Sequence, residues 1–486
     1  MSRDPDLRLP IKLDSTSNGE FAPVALSRVE QHANHEAWMA TTDAARRTGM
    51  KRRGYLASAC GAAATLLAFD KVFASNGRGA GRYEIPADAA FDTQLAQAAV
   101  GGDEFIFDVQ LHHVEPAGAW RKRGGGFENA LKMMPAAVSC KEGDPLACLS
   151  RERLLKDVFL DSDTSMAVLS HVPTTVANAP LTHEDALATK RILDALDGTE
   201  RLLLHAPVNP AEPGALERMQ AHAATTRLAG FKTYTQFDPD PAGPGGYWLD
   251  DERLGLPLIE QARKLGVRNI CVHKGIKLSP RGTQFAGCRD IGVVAKRYPD
   301  MNFIVYHAGF DPGRGERAFD PQRPTGVDDL VASLQANGIG PNANVYAELG
   351  TTWRYVMRNP ESAAHLLGKL LKNVGENNVI WGTDSIWYGS PQDQIQAFRA
   401  FQITPEVQQR NQYPALTPEL KRKVFGLNGA RVYGLDPAAL RPKLRKDPVT
   451  RAKAEYVPHA NPDFETHGPR TRREFFSLRR ATGQPV

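Results

Sequence analysis

The chain has 486 residues, 42% of them hydrophobic and 24% charged, and a formal net charge of +5. This is ordinary globular composition. The length exceeds a typical single domain but suits one α/β barrel with tails. The positive excess gathers around Arg52 and in a C-terminal stretch with Arg470, Arg472, Arg473, Arg479 and Arg480. No aromatic-interleaved basic face accompanies it, which argues against a nucleic-acid partner.

Residues 1–49 are polar and show no clear periodicity, so a disordered extension or an over-long start is expected before Met50. Residues 50–74, MKRRGYLASACGAAATLLAFDKVFA, place Arg52 and Arg53 before an Ala-rich apolar stretch ending in Val72-Phe73-Ala74. The order of charge, apolar core and small-residue cleavage site resembles a twin-arginine signal; the alternative is a buried Ala-rich helix. The resemblance implies recognition by the twin-arginine export machinery and a periplasmic or secreted location. The apolar core is too short for a permanent membrane anchor.

Five cysteines, Cys60, Cys140, Cys148, Cys271 and Cys288, include no CxxC pair. Cys271 reads as a core residue, and Cys140 with Cys148 as a candidate disulfide in an oxidising compartment.

After a linker over 75–103, short apolar runs alternate with helical patterns. The strand candidates are 104–112, 165–171, 201–206, 229–234, 268–273, 302–307, 344–349 and 378–384, each rich in Val, Ile, Leu or Phe, as parallel strands buried on both faces should be. Amphipathic stretches such as 183–196, 250–266 and 362–375 separate them. Eight strand–helix repeats predict a (β/α)₈ TIM barrel over 104–435. The long Gly- and Pro-rich segment 113–150 follows the first strand and is expected over the catalytic mouth. A helix at 391–401 and a closing helix near 417–435 complete the barrel. The polar tail 436–486 is expected to wrap its surface irregularly.

The strand ends hold the chemistry. Gln110 and His112 close the first strand two residues apart, on one side, with Asp108 below them. His273 ends the fifth, His307 the sixth and Asp384 the eighth. A barrel gathers the C-terminal ends of its strands into one ring. Imidazoles and a carboxylate meeting there suit Zn²⁺ or a similar divalent ion. His171 and His205 also end strands and read as structural.

The motifs QLH (110–112), VHKG (272–275), YHAG (306–309) and WGTDSIW (381–387), with the closing FGLNGARVYGL (425–435), resemble the amidohydrolase-related family, including its non-oxidative decarboxylases. The resemblance spans about 104–435. In that family the first strand carries HxH, the fifth a His, the sixth a His before Gly, and the eighth an Asp within GTD. It implies a metal held by His112, His273 and Asp384, with Gln110, a weaker neutral ligand, where the family has its first histidine. Such a set leaves Mn²⁺ or Fe²⁺ open beside Zn²⁺. Lys232 occupies the strand-four position where binuclear relatives carry a carbamylated lysine. The favoured reading is instead a lysine that binds an anionic substrate group or pairs with Glu348. Lys274 faces away from His273. Trp353, Trp387, Tyr388 and the 113–150 loop are expected to line an aromatic substrate pocket.

The leading expectation is metal-dependent hydrolysis of a C–N or C–O bond (amide, cyclic amide or lactone) in a small-molecule substrate. Metal-activated water would attack, with Asp384 as base and His307 polarising the carbonyl. A metal-dependent decarboxylase of a carboxylic acid is the second expectation, and an exported non-catalytic binding barrel the third. A homo-oligomer is left open.

Overall fold

A computed structural model describes residues 8–19, 21–123, 143–198, 200–240, 242–278, 281–462, 464, 466 and 468–481. Eight parallel strands follow one another round a barrel: β2 (Phe107–Leu111), β3 (Met166–Leu169), β4 (Leu202–Pro207), β5 (Gly230–Tyr234), β6 (Asn269–His273), β7 (Asn302–Tyr306), β8 (Val345–Glu348) and β9 (Val379–Ile380). Every neighbouring pair is parallel and in sequence order, with helices between the strands, so all eight expected strands form.

The last strand is the shortest, and the barrel shuts through the chain beyond it. Val109 N–H donates to Trp381 O at 3.0 Å, Asp384 N–H to Gln110 O at 3.0 Å and His112 N–H to Ser385 O at 2.6 Å. The seam needs glycine at 382. A Cβ there would run into the Glu348 carboxylate, which occupies the space beneath. Gly275 is likewise required: its φ is +82°, and a Cβ would meet the backbone of Gly309 and Phe310.

Three expectations are corrected. Residues 8–19 and 21–49 are not a disordered extension. Leu9, Ile11 and Leu13 alternate into the core, and α1 (Arg28–Arg47) begins at a Ser27/Glu30 capping box. The linker expected over 75–103 holds structure as well. There β1 (Gly81–Tyr83) pairs antiparallel with β10 (Phe401–Ile403), and a helix spans Thr93–Val100. Nor is the C-terminal tail irregular, since helices span Pro437–Leu444, Pro448–Tyr456 and Arg472–Ala481. The buried ion pair between Arg201 and Asp447, 2.6 Å, fastens it to the barrel.

The stretch read as a signal forms α2 (Arg52–Leu56) and α3 (Ala59–Ser75). α3 buries Leu66, Phe69, Val72 and Phe73 in the same core as Leu9, Ile11 and Ile403. Among the described residues no helix is long and apolar enough to cross a membrane. Cys148 is disulfide-bonded; Cys140, the partner expected for it, lies outside the described residues, as does 124–142 of the expected mouth loop.

Candidate active site

The ends of β2 and the barrel seam build the centre of the mouth. Below it, Asp108 accepts the N–H groups of Gln110 and Thr383, each at 3.1 Å, and the Thr383 hydroxyl. Complete burial nevertheless pushes its pKa up to about 7. These bonds lock the 383–385 turn against the first strand, so Gln110, His112 and Asp384 face one another with little freedom.

Asp384 sits in a cage of four donors. Gln110 Nε2 (2.9 Å) and His112 Nε2 (3.1 Å) donate to Oδ1, and Thr351 Oγ1 (2.5 Å) and Asn18 Nδ2 (2.9 Å) to Oδ2. Burial alone would raise the pKa of this carboxyl. The hydrogen bond and charge of His112 and the Thr351 hydroxyl outweigh burial and hold it below the usual carboxylate range. Gln110 turns its amide nitrogen to the carboxylate, leaving Oε1 buried without a hydrogen-bond partner; His112 Nδ1 is in the same position.

His273 and His307 stand beside this pair, their ring centroids 4.6 Å apart. Backbone carbonyls set both tautomers: His273 Nε2 donates to Ile276 O and His307 Nδ1 to Gly350 O, each at 2.8 Å. Burial lowers both pKa values, that of His307 to about 4, so both rings are neutral at pH 7. Neutral imidazoles with these tautomers carry lone pairs on His273 Nδ1 and His307 Nε2. This corrects the role expected of His307. With its one N–H spent on Gly350, it has none to offer a carbonyl oxygen and is suited to act as a ligand or base.

Lys232 on β5 is buried, its Nζ 3.1 Å from the centre of the Tyr306 ring. A position over a ring face suits an ammonium. Lys232 and Tyr234 also line a cavity of about 90 Å³ with His171, Val208 and Phe237. Glu348 on β8 accepts the N–H groups of His307 (3.0 Å) and Gly350 (2.5 Å). Burial raises it to about 8, against the lowering effect of these N–H groups and of Lys232. It shapes the loops that hold His307 and Thr351 rather than reaching towards a substrate, and this corrects its expected substrate-binding role. Lys274 turns away to Asp290 at 2.9 Å.

Of the expected aromatic lining, Trp387 stacks on His112, 6.0 Å between centroids, and Tyr388 donates to Thr351 Oγ1 at 3.1 Å. Trp353 does not belong to a pocket. It is fully buried against Phe398 and Phe401, and its Nε1 donates to Gln394 O. Asn18 and Thr351 were not anticipated. Thr351 follows a barrel strand and was legible in principle, whereas nothing near Asn18 marks it.

The structure thus brings Gln110, His112, His307 and Asp384 together, with His273 against His307 and Lys232 close by. Among the described residues, no three His, Cys, Asp or Glu side chains stand close enough to hold an ion between them. The donors nevertheless fit a divalent cation in chemical kind. They are neutral imidazole nitrogens aimed by backbone carbonyls, as metal-ligating histidines are, and a carboxylate kept ionised.

Barrel and mouth together define a TIM-barrel protein with a His/Asp cluster at the C-terminal ends of its strands. A family model described as amidohydrolase matches residues 170–435, more than half of the chain. The chain belongs to the amidohydrolase family. The match begins after β3, so Gln110 and His112 lie outside it and are placed by the structure alone. Among solved structures, a 5-carboxyvanillate decarboxylase from Sphingomonas paucimobilis is similar at 15% identity, covering 68% of this chain and 99% of the other with a TM-score of 0.42. An amidohydrolase from Mycobacterium avium subsp. paratuberculosis K-10 is similar at 12% identity (69% and 100% covered, TM-score 0.40). A uronate isomerase from Bacillus halodurans C-125 is likewise 12% identical (92% and 97% covered, TM-score 0.35). No curated protein matches the chain.

Proposed function

We propose that this protein is a metal-dependent hydrolase that cleaves a C–N or C–O bond of a small substrate bearing an anionic group. One observation carries the reading: Asp384, kept ionised in a buried cage, acts electrostatically on neutral His307, with the buried Lys232 close by. His112, His273 and Asp384 are the residues that would hold a divalent ion, with Zn²⁺, Mn²⁺ and Fe²⁺ as candidates and Gln110 a marginal fourth. When bound, such an ion would supply the acidity that makes water a nucleophile near neutral pH. Asp384 takes the proton of the attacking water and returns it to the leaving group. Lys232 holds the substrate's anionic group or the developing oxyanion.

The buried cation also favours a second reading, decarboxylation, since a carboxylate is a natural partner for Lys232. Product analysis in H₂¹⁸O separates the two: label in the product supports hydrolysis, and unlabelled product with released carbon dioxide supports decarboxylation. The experiment is a screen of lactones, amides and aromatic acids with metal-replete protein, alongside Asp384→Asn. Loss of at least a hundredfold in kcat, with an unchanged circular dichroism spectrum, is expected of a proton-transfer residue. Turnover like wild type in that variant refutes the assignment. Gln110→His is expected to keep or raise bound metal by elemental analysis, and a clear fall would remove Gln110 from the ligand position.

A further inference from the structure

Three of the four donors around Asp384 come from the barrel itself: Gln110, His112 and Thr351. The fourth, Asn18, lies 366 residues away in sequence. An extended strap brings it there, fixed to the segments that follow the last two barrel strands and to the C-terminal segment. Lys12 Nζ donates to Tyr388 O (2.6 Å) and Ser390 O (3.1 Å), on the segment that follows the seam. Asp14 pairs with Arg354 at 2.9 Å in the helix after β8; Arg354 and Arg470 hold its pKa to about 2 although burial would raise it. Ser17 N–H donates to Pro469 O at 2.9 Å, and Thr466 donates to Asp14 Oδ2 at 3.0 Å. Gly468 packs directly on Ser17, leaving no room for a Cβ. Anchoring by the buried Lys12, by the Asp14–Arg354 pair and by the C-terminal segment far exceeds what covering a surface requires. It fixes the backbone leading up to one side chain, 8% exposed, whose amide ends on the reactive carboxylate.

We propose that Asn18 is a positioning residue of the active site: the N-terminal strap supplies the amide that fixes Asp384 Oδ2 and thereby keeps Oδ1 on His112. A carboxylate accepts from about four donors, and Asn18 is one of the two on Oδ2, beside the Thr351 hydroxyl. Without Asn18, one oxygen keeps only a hydroxyl that itself rotates. The carboxylate then turns about its Cβ–Cγ bond, and His112 loses a fixed partner. The proposal rests on the functional reading only for its effect on turnover; the contact with His112 can be tested without it.

The test uses the full chain with Asn18→Ala and with the isosteric Asn18→Asp, which replaces the donor by an acceptor. Acylation of His112 by diethyl pyrocarbonate, mapped by mass spectrometry, is expected to quicken at least fivefold in both variants, with thermal midpoints within 2 °C of wild type. Zn²⁺ titrated calorimetrically is expected to bind Asn18→Ala about tenfold more weakly, the usual effect of losing a partner of a ligand. On a substrate from the screen, kcat is expected to fall about tenfold with KM within twofold, whereas a merely structural asparagine would lower the midpoint and spare kcat. Equal His112 acylation in wild type and both variants overturns the proposal, whatever the metal and turnover results. Absence of both Zn²⁺ binding and turnover in wild type overturns the functional reading instead and leaves the acylation result to decide on Asn18.

Discussion

His307, Thr351 and Asp384 all adopt positive φ, 61°, 57° and 59°, and none is glycine. Such conformations cost about 1–3 kcal/mol each and persist only where the surroundings impose them. Glu348 is one of those impositions, since its carboxyl collects the N–H groups of His307 and Gly350. Its folded pKa of about 8 exceeds the usual value, so its contribution is complete below about pH 4.5 and is lost as pH rises through about 8. Glu348→Gln keeps the shape but only one acceptor oxygen, so one of the two N–H groups faces an NH₂. It is expected to cost about 1–3 kcal/mol at pH 6 and to show a flatter decline between pH 6 and 9. Thermal melts across that range check this; parallel decline in both proteins contradicts it. At this scale Gln110, His112, His273, His307 and Asp384 were legible because each terminates an apolar run. The tautomer of His307 was not, because it depends on a carbonyl, Gly350 O, that only the folded loop brings near.

The eight barrel strands were legible for a simple reason: runs such as Asn269–His273 and Asn302–Tyr306 are continuous and apolar, buried on both faces. α1 is hard to read from the sequence because its buried stripe is made of Ala33, Ala37, Thr41, Ala44 and Ala45. Small residues at helical spacing let it lie close to α3, yet they give almost no hydrophobic contrast to read along the chain. The seam is the element where one atom matters most. Gly382→Ala thrusts a methyl into the Glu348 carboxyl. It is expected to cost about 1–3 kcal/mol, as overpacking of a close-packed interior does. A midpoint within 1 °C of wild type would show that Glu348 can step aside.

For the molecule as a whole, the N-terminal 75 residues decide between two histories. The Arg52-Arg53 pattern and the Ala-rich stretch resemble an export signal only in composition and order, and the fold uses α3 of that stretch as core. A chain beginning at Ser75 leaves Leu9, Ile11, Leu13, Leu66, Phe69, Val72 and Phe73 without their places, together with every surface they covered. At about 1.5–3 kcal/mol for each large apolar side chain, the loss matches the whole stability of an ordinary domain, about 5–15 kcal/mol. The truncated chain is expected to be insoluble or to melt without a cooperative transition. A soluble product that melts as the full chain does would show that the segment is dispensable after folding. The strap and α3 were illegible because signal and core helix share one composition, and only tertiary contacts tell them apart.

The barrel is shut by the same residue to which we assign the proton: Asp384 N–H bonds to Gln110 O while its carboxylate faces the mouth. Closure and chemistry are therefore mechanically joined. Any ligand that grips this acid also tightens the joint between the last and first staves, so occupancy should register as slowed amide hydrogen exchange over 381–385.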